Sequence, residues 1–250
     1  MASSSSALIL FSLLIVSFSA PAISKRPSAS DEKVTLSLYQ TLCLGCSRFI
    51  VHQLPKIFEY GLFDIVDLNL VPYGNAKLLK NGTIICQHGP DECFLNTVEA
   101  CAINIMSQDE SFGFIRCVQN FIAEGKIYES PSCLDSNTPD QGNALHKCYT
   151  SGLGQKLELQ YGNVTAALNP PHKYVPWVTV NEVPLHMDID NFMKYICKAY
   201  KGTSTPKACK ELRVGIIPAQ PIIPNMKVCR VNETSPTTKT RPRGITWWNY

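Results

Sequence analysis

The chain has 250 residues, 17% charged and 45% hydrophobic, with 11 Cys and a formal net charge of +3. So low a charged fraction beside ample apolar residues excludes intrinsic disorder, and the small, dispersed positive charge gives no footprint for nucleic acid. Eleven cysteines, about 4% of the residues, are many for a cytosolic enzyme and few for a small disulfide scaffold, so disulfides supplement a packed core rather than replace it.

Residues 7–23, ALILFSLLIVSFSAPAI, form an uncharged apolar run that is short for a spanning helix. Small residues at Ala20, Ala22 and Ser24 offer cleavage sites, so residues 1–24 read as a signal peptide, and no later segment is apolar enough to hold the mature chain in a membrane. Asn81, Asn163 and Asn232 each begin a glycosylation sequon. Leader, sequons and cysteines together point to the secretory route, where most cysteines pair.

Val34, Leu36 and Leu38 alternate with polar residues in KVTLSLYQ, a strand pattern. Cys43-Leu44-Gly45-Cys46 follows, and then Phe49, Ile50, Leu54, Ile57 and Phe58 at helical spacing, with Pro55 as a kink and Gly61 as a stop. Residues 63–71, FDIVDLNLV, read as a second strand with Phe63, Ile65, Leu68 and Leu70 inward. This βαβ unit occupies 33–75. Residues 76–168 read as a cysteine-rich helical insertion, with amphipathic stretches at 92–106 and 111–123 and a helical continuation over 151–165. Residues 169–211 return to strands: Val175–Val180, a turn at NEVP, a second hairpin strand, and a helix from DIDNFMKYICKAYKG capped by Asp188 or Asp190 and ended by Gly202. Residues 212–250 are rich in Pro and Thr and read as a poorly ordered tail.

A CxxC between a strand and a helix is the redox arrangement of thioredoxin-like folds. Its first sulfur meets unpaired N–H groups and the positive end of the helix dipole, which favour a thiolate, and the second lies about one turn on. Cys43 is the candidate nucleophile and Cys46 the resolving thiol. Gly45 keeps the turn open, and Leu44 offers an apolar contact to a substrate. Val175-Pro176, before a strong strand, sits where such folds carry a cis-proline that lets a substrate add as a strand. Two plainer readings compete. Cys43, Cys46, Cys86 and His88 are suitable types for a zinc site, or Cys43 and Cys46 form ordinary structural disulfides with other cysteines. The redox reading requires the two sulfurs to be reachable. Deep burial of the pair, or a bond locking either sulfur to a distant cysteine in the resting protein, would end the case for it.

Residues 86–96, CQHGPDECFLN, followed by Cys101, carry the signature CQHGxxECxxNxxxxC, with Cys86, Gln87, His88, Gly89, Glu92, Cys93, Asn96 and Cys101 at its fixed positions. On these residues the chain resembles the gamma-interferon-inducible lysosomal thiol reductase family, over roughly residues 33–210. Its CKAYKG ending (Cys197–Gly202) looks like that of plant members. The resemblance implies an α/β, thioredoxin-like (DsbA-like) fold with a disulfide-stapled helical insertion. It also implies reduction of protein disulfides through Cys43 and Cys46 along a secreted, lysosomal or vacuolar route. Cys86, Cys93 and Cys101 are read as disulfide partners, and Glu92 and Asn96 as groups that fix the helix start or the insertion. Arg48 and His88 are the candidates to tune the thiolate, His88 only if it lies near Cys43; otherwise it is read as a structural histidine.

The demand on such tuning is large at acidic pH. A free thiol with pKa ~8.5 is only about 0.03% ionised at pH 5, and half-ionisation there needs about 5 kcal/mol, against ~0.3–2 from a helix terminus. The partners expected are disulfide-containing proteins and a small-thiol or dithiol reductant, with no cofactor, metal or nucleic acid. An oxidase or isomerase direction is the near rival, since direction follows reduction potential rather than CxxC itself. A secreted, disulfide-stabilised binding protein on the same fold is the non-enzymatic rival. Removing Cys43 and Cys46 leaves nine cysteines, an odd number that allows a disulfide-linked homodimer. Cys197 is expected to pair with Cys209, and Cys229 to be the odd one.

Overall fold

The computed structural model describes residues 33–134, 139–215 and 227–233. The leader expected over 1–24 lies outside these residues, as do 216–226 and 234–250 of the tail. Strand β1 (Val34–Gln40) is the centre of the main sheet. It pairs in parallel with β2 (Val66–Pro72) from Val34↔Val66 to Gln40↔Pro72. On its other side it pairs antiparallel with β6 (Trp177–Val180), and β7 (Val183–Pro184) closes the order β2-β1-β6-β7.

Helix α1 (Leu44–His52) follows β1 directly. It stops short of Pro55, whose ring nitrogen has no hydrogen to donate, and the chain resumes as α2 (Lys56–Glu59). The second strand begins later than the sequence pattern suggested. Phe63–Ile65 form a 3-10 turn in which Phe63 stacks on Phe58 at 4.5 Å. The inward set of β2 is therefore Val66, Leu68 and Leu70, alternating with exposed Asp67 and Asn69.

After β2 come a short hairpin of β3 (Lys77–Leu78) and β4 (Ile84–Ile85), then four helices: α3 (Pro90–Ile105), α4 (Gln108–Ala123), α5 (Pro139–Thr150) and α6 (Gly152–Ala166). The start of α4 is set by a capping box, Ser107 accepting from the Glu110 N–H while Glu110 accepts from the Ser107 N–H. Disulfides Cys101–Cys148 and Cys117–Cys133 staple this helical layer, and α4 packs on α1. The core is continuous from the sheet (Leu36, Leu38, Val178) through α1 (Phe49, Ile50) to α3 and α4 (Leu95, Ile115).

The returning half is β5 (Tyr174–Val175), a cis Val175–Pro176 bond, and β6. A turn at Asn181 and Glu182, both at positive φ (46° and 65°), leads to β7. Helix α7 (Phe192–Ala199) is preceded by a 3-10 turn, and Asp188 does not cap it as expected. Its carboxylate accepts from the Asn191 amide and the Tyr195 hydroxyl instead. The Cys197–Cys209 disulfide ties α7 to α8 (Lys207–Arg213), an element the sequence reading did not include. The parallel β1–β2 pair, the helix between them with CxxC at its start, and the antiparallel β6–β7 pair behind a cis-proline make this a thioredoxin-like fold. Four helices are inserted between its halves. No helix among the described residues is long and apolar enough to cross a membrane.

The tail departs most from expectation. Residues 227–233 are ordered, and β8 (Cys229–Arg230) pairs antiparallel with β5, Tyr174↔Arg230 and Val175↔Cys229.

Candidate functional site

Cys43 is the N-cap residue of α1, in extended conformation (φ −139°, ψ 130°), and no side chain caps the helix there. Cys46 lies in the first turn. Cys43 is 2% exposed and Cys46 fully buried, and Cys43 is bonded to Cys229, 186 residues away. Both circumstances set against the redox reading at the sequence level are thus present. Cys229 is not the odd cysteine; Cys46 is. The cause is the returning tail, which brings Cys229 onto the start of α1. Spacing along the chain carries no sign of this. Nor do the proposed zinc ligands survive as a set, since Cys43 and Cys86 are both in disulfides. Cys86, Cys93 and Glu158 cluster closely, but the two sulfurs are bonded to each other and offer no thiolate.

The tail is seated mainly through main-chain groups. Besides the β5–β8 pairing, the Val231 N–H donates to the Lys173 carbonyl at 3.0 Å. The Cys43 sulfur lies 3.7 Å from the carbonyl oxygens of both Val175 and Lys227. A Cβ on Gly45 would sit 2.5 Å from the Lys227 oxygen and 3.3 Å from the Pro176 ring, so only glycine lets this segment pass over the dithiol. Two side-chain amides hold the far side. Asn75 Nδ2 donates to the Cys229 carbonyl at 2.9 Å. Gln87 Nε2 reaches the Arg230 and Glu233 carbonyls, both at 2.8 Å. Asn75 also donates to Gln87 Oε1 at 2.6 Å, and His172 Nε2 stands 3.2 Å from Asn75 Oδ1. Burial pulls the His172 pKa down, favouring a neutral ring.

Gln87 belongs to the signature loop, and the geometry explains how that loop is built. Cys86–Cys93 closes it. Gly89 turns the chain at φ 85°, ψ −165°, a region open to glycine, and Pro90 starts α3. The buried Glu92 carboxylate accepts the N–H groups of Gln87 (3.0 Å) and His88 (3.1 Å) and pairs with the His88 ring. Four residues on, Asn96 accepts from the Thr41 hydroxyl at 2.8 Å and donates to the Tyr73 carbonyl at 3.3 Å. It thereby ties α3 to the two loops beside the dithiol. His88 is engaged with Glu92, and the polar neighbours at the Cys43 sulfur are main-chain carbonyls. Leu44 is half-buried next to Cys43, while Val175 and Pro176 are buried against the dithiol. Arg48 is half-buried on α1.

A polar network beneath Cys46 escaped the sequence reading. Glu99, on α3, is 1% exposed and accepts from the Gln40 amide and from Gln119 Nε2, the latter at 2.7 Å. Gln119 Oε1 in turn accepts from the Ser47 hydroxyl at 2.7 Å, and Ser47 also donates to the Cys43 carbonyl. Burial pushes the Glu99 carboxyl up to about 7, against the two amide donors that oppose the shift. Burial likewise raises the Cys46 thiol far above its ordinary range, helped by the charges of Glu92 and Glu99. One signal was readable: Glu92, Asn96 and Glu99 recur at helical spacing on the face that also carries Leu95 and Ala102, where acids have no place unless they are held. Nothing in the sequence pattern marked Gln40, Asn75, Gln119 or His172. The sequon asparagines Asn81, Asn163 and Asn232 are all exposed.

Residues 33–137 match the sequence model of a family described as gamma interferon inducible lysosomal thiol reductase. The chain is 46% identical over 183 residues to the gamma-interferon-responsive lysosomal thiol protein of Arabidopsis thaliana, covering 71% of this chain and 76% of that one. It is 35% identical over 192 residues to the gamma-interferon-inducible lysosomal thiol reductase of Mus musculus, covering 75% and 76%. Among solved structures, a Chlamydia trachomatis DsbA is similar, with TM-score 0.45, 8% identity, and coverage of 74% of this chain and 87% of that one.

Proposed function

The chain belongs to the gamma-interferon-inducible lysosomal thiol reductase family, and from that premise we propose that it reduces protein disulfides through Cys43 and Cys46. It is a thiol-disulfide oxidoreductase. In the proposed cycle the Cys43 thiolate attacks one sulfur of a substrate disulfide. A Cys43–substrate bond forms, and the other substrate sulfur leaves as a thiolate and takes up a proton. Cys46, giving up its proton, then attacks the Cys43 sulfur. The substrate departs with two thiols, and the new Cys43–Cys46 disulfide is reduced by an external thiol or dithiol, so two electrons pass per turn.

The observation that carries this reading is the place of Cys43. It sits at an uncapped helix N-terminus, where free N–H groups and the dipole favour a thiolate, with the cis Val175–Pro176 segment against its sulfur. The elevated pKa of Cys46 suits a resolving thiol, which stays protonated until a mixed disulfide presents a target. Leu44, Gly45, Val175 and Pro176 are the proposed substrate contacts, and Arg48 and His88 the proposed tuning groups. The three sequons and the family support a lysosomal, vacuolar or secreted destination.

The test is reduction of insulin by dithiothreitol. Cys43→Ser is expected to reduce the catalysed rate to background, and Cys46→Ser to halt turnover while accumulating a mixed disulfide. A Cys43→Ser protein as active as the parent ends the assignment. The Cys43–Cys229 bond favours one second reading, a stapled binding protein without activity, and that reading predicts no catalysed reduction by the parent chain.

A further inference from the structure

We propose that Asn75 and Gln87 form a peptide-backbone subsite beside Cys43, and that residues 227–233 occupy it as a built-in substrate joined to Cys43 in a mixed disulfide. The inference rests on the thiol-reductase reading and adds to it the form of the substrate and the state in which the chain rests.

Three observations converge on the same segment. First, Cys229 is bonded to the sulfur that a substrate cysteine would occupy, and Cys46, the thiol that would release it, is free and next to it. Second, the segment lies antiparallel to Tyr174–Val175, the edge just before the cis-proline, in the way an extended peptide adds to a sheet. Third, the contacts that hold it on the far side end on carbonyl oxygens: Cys229 for Asn75, Arg230 and Glu233 for Gln87. A site that reads carbonyls accepts an extended chain whatever its side chains. The side chains of Arg230, Asn232 and Glu233 are exposed, with Lys77 Nζ 3.5 Å from Asn232 Oδ1 and Glu233 accepting from the Arg230 N–H of the tail itself, so the occupant is held mainly by its backbone. Val228, before the cysteine, is the exception. It packs on the aromatic cluster of Tyr39, Tyr174 and Trp177, and assigns a preference for an apolar residue at that position of a substrate. The Cys86–Cys93 loop and the Glu92 carboxylate hold Gln87 in place, and the Asn75 oxygen lies against His172 Nε2 while its nitrogen faces the peptide.

Release of the tail is an exchange that needs no outside reductant. The deprotonated Cys46 sulfur attacks the Cys43 sulfur, the Cys43–Cys229 bond breaks, and Cys229 leaves and takes up a proton. The resulting Cys43–Cys46 disulfide is then reduced by the external dithiol that drives turnover, leaving Cys43 open to a protein substrate.

The full-length oxidised chain tests this in two arms. Non-reducing peptide mapping is expected to find Cys43 linked to Cys229. In insulin reduction the parent is expected to show a lag that Cys229→Ser abolishes. In the Cys229→Ser background, Asn75→Ala and Gln87→Ala are assayed on two substrates: the disulfide-linked dimer of the peptide 227–233, and hydroxyethyl disulfide, which has no peptide carbonyls. Each substitution is expected to lower the ratio of kcat/KM for peptide over hydroxyethyl disulfide about five-fold, through KM more than kcat. An equal fall on both substrates overturns the subsite by making the residues merely structural. Cys229 found free or bonded elsewhere, in a chain that reduces insulin, overturns the built-in substrate while leaving the reductase reading intact. Loss of that reading shows instead as unaltered insulin reduction by Cys43→Ser.

Discussion

The two sides of the dithiol are built in different ways. Outward from Cys43, the tail meets the buried Asn75 amide, the half-buried Gln87 amide and a strand edge, all of which bind main-chain groups. Inward from Cys46, Gln40, Ser47, Glu99 and Gln119 bind one another through side chains that are all at most 1% exposed. An occupant of the outer side can be exchanged for another peptide with little loss, because every peptide carries carbonyls. The inner network has no substitute partners. Removing Glu99, which accepts from both Gln40 and Gln119, leaves buried amide donors without their carboxylate. The proposed subsite is thus an adaptable face backed by a fixed one.

Substitutions on the inner side have the largest expected effects. Glu99→Ala strips the Gln40 amide of its acceptor in the core and the Gln119 amide of the nearer of its two, and is expected to cost about 3 kcal/mol, measured as a fall in the urea midpoint with unchanged slope. The same carboxyl makes stability depend on pH. Its folded pKa, pushed up to about 7, lies above the ordinary 4.5, so the folded state holds the proton more tightly than the unfolded one. Its contribution is full below pH 4.5 and is lost as pH rises to 7, roughly 3 kcal/mol over that interval. Parent and Glu99→Gln unfolding curves at pH 5 and 7.5 are expected to differ in this sense, the variant losing less stability on going to pH 7.5. A parent that gains stability over the variant across the same rise contradicts the account. Asn96→Ala, which removes one acceptor for Thr41 and one donor for Tyr73, is expected to cost about 2 kcal/mol in the same assay.

How much of this was legible followed from the range of each signal. The βαβ unit and the helices of the insertion are periodic over ten or more residues, so Leu36 and Leu38, or Phe49 and Ile50, declared their faces. The start of β2 was misplaced because Phe63 and Ile65 mimic strand alternation while packing from a 3-10 turn. The signature spacing singled out Gln87, Glu92 and Asn96, yet what each binds depends on loops distant in sequence: Arg230 and Glu233 for Gln87, Thr41 and Tyr73 for Asn96. Pairing of Cys43 with Cys229 was illegible for the same reason. The tail's composition suggests disorder, and the groups that give it a place, the β5 edge, the two amides, the aromatic cluster under Val228 and Cys43 itself, are all distant from it in sequence.

The outer side yields smaller effects, and their pattern matters more than their size. Gly45→Ala puts a methyl group against the Lys227 carbonyl, a main-chain atom that cannot turn aside as a side-chain tip would. Its expected result is loss of the lag in insulin reduction together with a raised KM, because tail and substrate need the same space. Within the tail, Val228→Ala trims an apolar contact with the Tyr174–Trp177 cluster, worth about 1 kcal/mol, and is expected to shorten the lag about five-fold. Arg230→Ala removes an exposed side chain but keeps the carbonyl that Gln87 reads, and its lag is expected to stay within about two-fold of the parent. Should Arg230→Ala release the tail as readily as Val228→Ala, side chains rather than the backbone would govern the outer face. The contrast with the inner network would then fail at its weakest contact, where it is easiest to measure.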